Sequence, residues 1–242
     1  KDIGKVNLSN KEEEVFMGRK YDDTEILEDI EKCSDDIIFT KIEDEEELSK
    51  KVAKLISEGM VVGWFQGGSE MGPRALGHRS ILADATDPDM KDIINKRIKH
   101  REWYRPFAPA CIKEDAHKYF THSTESPYML LISQVKEEYK DKLPSITHVD
   151  GTARLQTVNR ETNRRYYDVI KEFGKISGIS VILNTSFNEA GEPIVETPED
   201  AIKCFLKNNI DYLVIENYFI ELKEENFIKL RRLSPKNKEI KT

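Results

Sequence analysis

The sequence has few of the features that mark membrane or secreted proteins. No stretch approaches the ~20 consecutive apolar residues that a membrane helix needs, so we expect no membrane contact. The three cysteines, Cys33, Cys111 and Cys204, lie far apart and form no CxxC pair. This spacing argues against a disulfide framework and favours a cytoplasmic location. The chain begins at Lys1 without Met or a signal-type apolar run, so we expect a fragment of a longer protein.

Several common catalytic patterns are also absent. The sequence has no GxSxG, and no cysteine with an obvious histidine partner for nucleophilic catalysis. Its five histidines show no HxxxH spacing and no Cys/His cluster, so we expect no metal site. The glycine-rich segments fit neither a Walker A loop nor GxGxxG. The chemistry must therefore be sought in other polar residues.

Charge is plentiful but unevenly distributed. Charged residues make up 34% of the 242, and the net charge of −7 does not favour a nucleic-acid partner. Residues 1–60 contain 18 Asp and Glu against 10 Lys and Arg, whereas residues 91–105 contain six Lys and Arg against two acids. A local basic run in an acidic protein fits a site for a small anion, although a solvated helix face would give the same run.

Hydrophobic periodicity predicts an α/β (α+β) fold with alternating helices and strands. Helices are expected at 24–32, 43–58, from 86, at 162–177 and from 197 to about 207. Strands are expected at 60–65, 107–112, 128–132, 149–158, 179–183, 212–215 and 218–222. We expect one mixed sheet with helical cover.

The first chemical motif is the glycine-rich segment 67–80, GGSEMGPRALGHRS. Glycine lets backbone N–H groups approach an anion closely, and Arg74 and Arg79 add fixed charge. His78 lies between them and is the histidine that we assign to ligand binding. Loop shape alone is a weak signal for phosphate contact.

The second motif is the segment 98–109, IKHREWYRPFAP. Lys99 and Arg101 fall at a predicted helix end, where cations are favourable without any ligand. Arg105 lies beyond the helix, and a guanidinium suits bidentate binding of phosphate. Lys99 and Arg105 are therefore candidate anion ligands.

Two strand segments complete the candidate set. Arg154 lies in the strand-like run VDGTARLQTV, where a guanidinium on a buried face needs a partner. That partner could be an acid, with Asp150 and Glu192 as candidates, or a ligand anion. Asn184 and Ser186 follow a predicted strand, where ligands often bind, although these residue types are also common in ordinary turns.

Taken together, these motifs resemble those of NodU/CmcH/TobZ-type carbamoyltransferases over about residues 45–222. Four segments occur in the family's order: EMGPRALGHRSILAD, IKHREWYRPFAP, HVDGTARLQTV and LNTSFNEAGEPIVETPEDAI. The resemblance implies the C-terminal YrdC-like domain of that family, with a twisted mixed β-sheet and flanking helices. It further implies that residues 1–44 are an arm from a missing actin-like N-terminal domain, 45–225 the YrdC-like domain, and 226–242 a tail.

The family's activity implies that this domain forms carbamoyl-adenylate from ATP and carbamoyl phosphate, the activating half of an O-carbamoyltransferase that acts on a small-molecule hydroxyl. Mg²⁺ is expected to accompany the ATP, held chiefly by the nucleotide. Two alternatives stay open: a nucleotide-binding module that is inactive without its partner domain, and an enzyme similar to tRNA threonylcarbamoyl-adenylate synthase.

Carried over by motif, the resemblance implies a catalytic set of Lys99, Arg105 and Arg154, which would bind carbamoyl phosphate and the nucleotide phosphates. Arg74 belongs to the same site, and Asn184 and Ser186 match the Ser-Ala-Asn strand end of the wider YrdC family. The family's loop usually reads Gly-Arg-x-Glu-Phe-Gly, whereas here Gly68 replaces the arginine. The contact made by that arginine is therefore in question.

Overall fold

The fold is built on one nine-stranded mixed sheet with the strand order β1-β9-β8-β2-β3-β7-β4-β6-β5. The computed structural model describes residues 15–121 and 124–223. Residues 1–14 of the predicted arm and the predicted tail, 226–242, lie outside the described residues. The strands are β1 (Ile37–Lys41), β2 (Val62–Phe65), β3 (Arg79–Asp84), β4 (Ala108–Ile112), β5 (Leu131–Gln134), β6 (Thr152–Val158), β7 (Val181–Ser186), β8 (Tyr212–Ile215) and β9 (Tyr218–Leu222).

Helices cover both faces of this sheet. The described helices are α1 (Asp23–Glu31), α2 (Glu45–Ser57), α3 (Met90–Arg97), α4 (Ala116–Tyr119), α5 (Glu137–Lys140), α6 (Arg164–Ser177) and α7 (Pro198–Lys207). None of these is long and apolar enough to cross a membrane. The predicted α/β class with one mixed sheet and flanking helices is confirmed.

The alternation of side chains along the strands creates two cores. In β3, Leu82 packs with α2 and α6 on one face, and Ile81 and Ala83 pack with α1, α3 and α7 on the other. All six residues of β3 are buried, because the strand lies inside the sheet between β2 and β7. The buried apolar side chains on both faces stabilise the sheet and fix its register.

Local sequence explains where the helices begin and end. Asp22 caps α1 and Thr197 caps α7, each in a capping box, and Pro198 occupies the first turn of α7. Gly178 ends α6 with φ of 78°, a left-handed conformation that favours glycine. These signals, together with the apolar spacing, account for the agreement between the predicted and observed helices.

The strand predictions were less complete. Strands β1 and β3 were not predicted, and β5 begins at Leu131, three residues after the predicted start at 128. β1 pairs with β9 at the sheet edge. Its sequence, IIFTK, begins with three apolar residues, but so short a run does not by itself distinguish a strand from a helix. Strand β3 begins inside the glycine-rich motif 67–80, because the loop ends at His78 and the strand starts at Arg79. Met129 adopts φ of 55°, which interrupts an extended run that would otherwise begin at Tyr128.

We expect the half-buried ion pair between α3 and the start of β8 to be a main contributor to stability. Arg97 Nη2 donates to Asp211 Oδ2 at 2.7 Å, and Val61 N donates to the same oxygen at 2.8 Å. Asp211→Ala would leave Arg97 and Val61 without this acceptor, so the free energy of unfolding should fall by roughly 2–4 kcal/mol. Urea denaturation measures the change.

Lys50→Ala is the matched control, because it removes one partner of an exposed i,i+4 ion pair with Glu46. Such a pair contributes only about 0.3–0.5 kcal/mol. Equal losses in the two variants would contradict the role assigned to Asp211.

Candidate functional site

A cavity of about 130 Å³ opens where β7 ends and β4 begins. The two strands are antiparallel neighbours, with Asn184 opposite Ala108, so the end of one meets the start of the other. The lining residues come from five segments of the chain. They are Pro73, Arg74, Ala75, Arg101, Pro106, Phe107, Ala108, Met129, Arg154, Asn184, Thr185 and Ser186.

Three arginines converge on this cavity. Arg154 projects from β6, Arg74 from the exposed loop 72–74, and Arg101 from the turn that follows α3. Burial and then the charge of Arg74 lower the pKa of Arg154; burial and then the charge of Arg105 lower the pKa of Arg101. Burial is the larger cause of both shifts, and a neighbouring guanidinium adds to each.

No carboxylate of the described chain forms an ion pair with any of these three arginines. Asp150 and Glu192, the two candidate partners of Arg154, do not pair with it in the described structure: Asp150 accepts from Thr152. The twelve residues that line the cavity also include no Asp or Glu. The cavity is therefore suited to an anion, because a ligand can supply the missing negative charge.

Arg101 was treated in the sequence analysis as a helix-end cation, yet the structure places it in the cavity. Its Nε donates to Oδ1 of the fully buried Asn95 at 2.7 Å, and its guanidinium lies 4.8 Å from the centre of the Phe107 ring. Asn95 Nδ2 also donates to the carbonyl oxygens of Trp103 and Arg105, at 3.2 and 2.9 Å. Asn95 thus fixes both the turn and Arg101. The position of Asn95 among the apolar residues of α3 is the sequence feature that could have indicated this role for Arg101.

Lys99 lies next to the cavity but does not line it. Its side chain is buried, and Nζ donates to the carbonyl oxygens of Ser186 at 2.6 Å and Asn188 at 3.0 Å, and to Asn188 Oδ1 at 2.7 Å. These acceptors are neutral, and burial lowers the pKa of Lys99 to about 7. In this structure Lys99 holds the turn after β7, including Ser186, which does line the cavity.

Arg105 and Arg79 lie outside the cavity lining. Arg105 is exposed and lies 3.4 Å from Glu102. Arg79 is fully buried over the Phe65 ring and donates to the carbonyl oxygens of Gln66 and Gly67, at 2.8 and 3.0 Å. Burial lowers the pKa of Arg79 to about 10. Arg79 therefore braces the glycine-rich loop from within the fold.

His78 also lies outside the cavity lining. Its ring stacks on Phe16 with the ring centres 3.6 Å apart, and Nδ1 lies 2.8 Å from the carbonyl oxygen of Gly68. Since a carbonyl only accepts, Nδ1 carries the hydrogen. Burial lowers the pKa of His78 to about 3, so its imidazole is neutral at ordinary pH. His78 joins the glycine-rich loop to the segment 15–18.

The same segment explains the glycine at position 68. A Cβ atom on Gly68 would lie 2.3 Å from the carbonyl oxygen of Gly18 and 2.8 Å from that of Phe16. The segment 16–18 and the glycine-rich loop are also joined by a hydrogen bond from Gly18 N to Ser69 O at 3.1 Å. An arginine cannot occupy position 68 while residues 16–18 lie there, which accounts for the departure from the resembled family's loop.

The residues that the structure describes do not form a magnesium site. Mg²⁺ prefers carboxylate and water oxygens, and the arginine cavity has no carboxylate in its lining. Within the described residues, no group of three or more His, Cys, Asp or Glu is placed to hold a metal ion.

A second cavity, of about 630 Å³, lies between α7 and the loop 189–195. It is lined by three acids and two lysines, and Glu189 pairs with Lys207 there, so it lacks the unpaired positive charge of the first.

Comparison with known proteins places these motifs in a family. A profile of the family described as "Carbamoyltransferase C-terminus" matches residues 53–222. The protein "Uncharacterized protein sll1178" of Synechocystis is 41% identical over 225 residues, which are 85% of this chain and 36% of that protein. "Nodulation protein NolNO" of Sinorhizobium fredii is 47% identical over 196 residues, 80% of this chain and 27% of that protein.

The chain thus spans only about a third of the length of these relatives. Among solved structures, it is similar to full-length HypF in the phosphate- and nucleotide-bound form, with a TM-score of 0.48 and 21% identity. That match covers 77% of this chain and 22% of the HypF chain.

The lowered pKa of Lys99 predicts a particular dependence of stability on pH. The pKa is about 7 in the folded chain, below the ordinary value of 10.5. Between these values the unfolded chain binds more protons at this position, so Lys99 makes the free energy of unfolding rise with pH through that window. Lys99→Met should lack this rise, as measured by urea unfolding between pH 7 and 9.

Lys50→Met, at an exposed lysine, serves as the control and should follow the wild type. If Lys99→Met and the wild type show the same slope with pH, the ammonium group of Lys99 is not desolvated as the structure indicates.

Proposed function

Because the chain belongs to the carbamoyltransferase C-terminus family, we propose that it forms carbamoyl-adenylate from carbamoyl phosphate and ATP. The observation that carries this proposal is the convergence of Arg74, Arg101 and Arg154 on one cavity without a carboxylate partner among the described residues. Both substrates are phosphate anions, and such a cavity suits anions with several oxygens.

The proposed chemistry has two steps. Water first cleaves carbamoyl phosphate into carbamate and inorganic phosphate. A carbamate oxygen then attacks the α-phosphorus of ATP; the bond to the bridging oxygen breaks, and pyrophosphate leaves with the electron pair. The products are carbamoyl-adenylate and pyrophosphate, and no oxidant or reductant is needed.

The protein's contribution to these steps is positioning and charge neutralisation. Negative charge accumulates on the oxygens of the α-phosphate and on the leaving pyrophosphate, and fixed guanidinium groups stabilise it. Arg101 is held by Asn95, and Arg154 is held by its strand, so these two charges need little reorganisation during the reaction. We assign phosphate binding to Arg74, Arg101 and Arg154, and a supporting role to Lys99 through Ser186 and Asn188.

Arg105 keeps its proposed role as a ligand for the outer phosphates. Its side chain is exposed and lies 3.4 Å from the exposed Glu102, its one ion-pair partner among the described residues, and it belongs to the turn that Asn95 holds. Because a surface ion pair of this kind is worth at most about 1 kcal/mol, a triphosphate can displace Glu102. Mg²⁺ would enter with ATP, held by the phosphate oxygens.

The second half of the proposed activity, transfer of the carbamoyl group to an acceptor, would require a further domain. The relatives are about three times as long, and a preceding actin-like domain would transfer the carbamoyl group to the hydroxyl of a small molecule. The family match favours this reading over a threonylcarbamoyl-adenylate synthase. A binding module without turnover is the remaining alternative, since the arginine cavity would serve it equally well.

Pyrophosphate release tests the proposal directly. The chain is incubated with ATP, Mg²⁺ and carbamoyl phosphate, and pyrophosphate is measured with a coupled enzyme assay. We expect release that depends on both substrates. Nucleotide binding without any pyrophosphate would leave the binding module as the correct reading, and the absence of binding would exclude both.

Arg154→Ala tests which charges form the site. Loss of one charge-assisted contact costs about 1.5–3 kcal/mol, so phosphate binding should weaken roughly ten- to hundred-fold, as measured by calorimetry. Because the Arg154 side chain is only half-buried and has no ion pair to a described residue, the melting temperature should change little.

Arg160→Ala removes an equal charge from an exposed position that pairs with Asp168, and it should leave phosphate binding unchanged. Equal weakening in both variants would point to general electrostatic attraction instead of a defined site.

A further inference from the structure

Asn184 lines the arginine cavity, and its side chain is only 1% exposed. Both hydrogens of its amide nitrogen are already engaged: Nδ2 donates to the carbonyl oxygen of Ala75 at 3.0 Å and to Gln156 Oε1 at 2.8 Å. The sequence had suggested Asn184 as a donor to a ligand. The structure leaves it no free donor, so any contact it makes with a ligand must use its amide oxygen.

The orientation of this amide is fixed by its neighbours. Gln156 Nε2 donates to the carbonyl oxygen of Leu76 at 2.8 Å, so Gln156 must present its oxygen to Asn184. The carbonyl oxygen of Ala75 likewise only accepts. A flipped Asn184 would therefore place an oxygen against two acceptors, which is unfavourable.

The amide oxygen of Asn184 has no hydrogen-bond partner among the described residues, although it is buried. A buried acceptor without a donor is costly, so this atom gains from any N–H that a ligand brings. The phosphate group of an acyl phosphate is largely ionised at neutral pH, so its oxygens mainly accept hydrogen bonds. The arginines therefore suit an anionic group of a ligand, and Asn184 Oδ1 suits an N–H group next to that anionic group.

We propose that Asn184 Oδ1 accepts a hydrogen bond from the amino group of the carbamoyl moiety, and so selects carbamoyl phosphate against acyl phosphates that lack it. This assignment rests on the proposed function. Since Asn184 is buried and Arg74 is exposed, the carbamoyl end points inward and the phosphate outward. Carbamate keeps the same amino group, so the contact persists after the phosphate has left.

Acetyl phosphate is the matched probe, because it has a methyl group in place of the amino group. A site built to hydrogen-bond an N–H rejects an analogue that leaves its acceptor unpaired. We expect the wild-type chain to bind carbamoyl phosphate at least roughly tenfold more tightly than acetyl phosphate in calorimetric titrations. In Asn184→Ala this ratio should fall to near one, because neither compound then meets the amide oxygen.

Asn208→Ala is the control variant. Asn208 is also fully buried, and its amide oxygen also lacks a partner among the described residues, but it lies at the end of α7 and outside the cavity lining. Asn208→Ala should lower the stability of the chain about as much as Asn184→Ala does. It should keep the tenfold preference for carbamoyl phosphate over acetyl phosphate. Inorganic phosphate binding and thermal melting verify that each variant is folded.

The outcomes separate this inference from the proposed function. Equal wild-type affinities for the two acyl phosphates, with phosphate still bound, would overturn the role of Asn184 alone. The same holds if Asn184→Ala keeps the preference, or if Asn208→Ala loses it. If neither acyl phosphate nor inorganic phosphate binds, the proposed function fails, and this assignment fails with it.

Discussion

The site depends on one physical constraint: positive charge is held close together without carboxylates to neutralise it. Neutral amide and carbonyl groups hold Arg101 and Lys99 in place. Asn95 orients Arg101, and the carbonyl and amide oxygens of Ser186 and Asn188 hold the ammonium group of Lys99. Such acceptors fix a cation in place while leaving its charge largely uncompensated, and the lowered pKa values of Lys99, Arg101 and Arg154 reflect the cost. An anionic ligand removes that cost, so the charge that makes the empty site unfavourable also makes ligand binding favourable.

The glycine-rich loop illustrates how buried charge can instead be structural. Arg79 and Glu70 are both buried, and both are used by the backbone around them: Arg79 donates to carbonyl oxygens, and Glu70 accepts from the N–H groups of Leu76, His78 and Arg79. The loop is further closed by residues 15–18, whose close approach requires glycine at position 68. These contacts fix the path of the chain on both sides of Arg74. Two arginines five residues apart in the sequence therefore have different roles, one in the loop framework and one in the cavity.

Much of the fold could be predicted from the sequence, because the helices carry strong apolar spacing and caps such as Asp22 and Thr197. β1 and β3 could not, since one is a short edge strand and the other follows a glycine-rich loop without a break in pattern. For the site, the sequence identified Arg74, Arg154, Asn184 and Ser186, which the structure brings together. It could not separate Arg79 from Arg74, nor Arg101 from an ordinary helix-end cation. Those distinctions depend on which side chains are buried and which neighbours they meet, and residue spacing alone does not contain that information.

The central claim is that the arginine cavity is where the chain binds its phosphate substrate. A crystal structure of this chain with carbamoyl phosphate tests it most directly. We expect a phosphate group within hydrogen-bond distance of Arg101 and Arg154, with Arg74 closing over it and the carbamoyl group next to Asn184. A phosphate bound only in the larger cavity beside α7, or an arginine cavity that stays without ligand at saturating concentration, would contradict it.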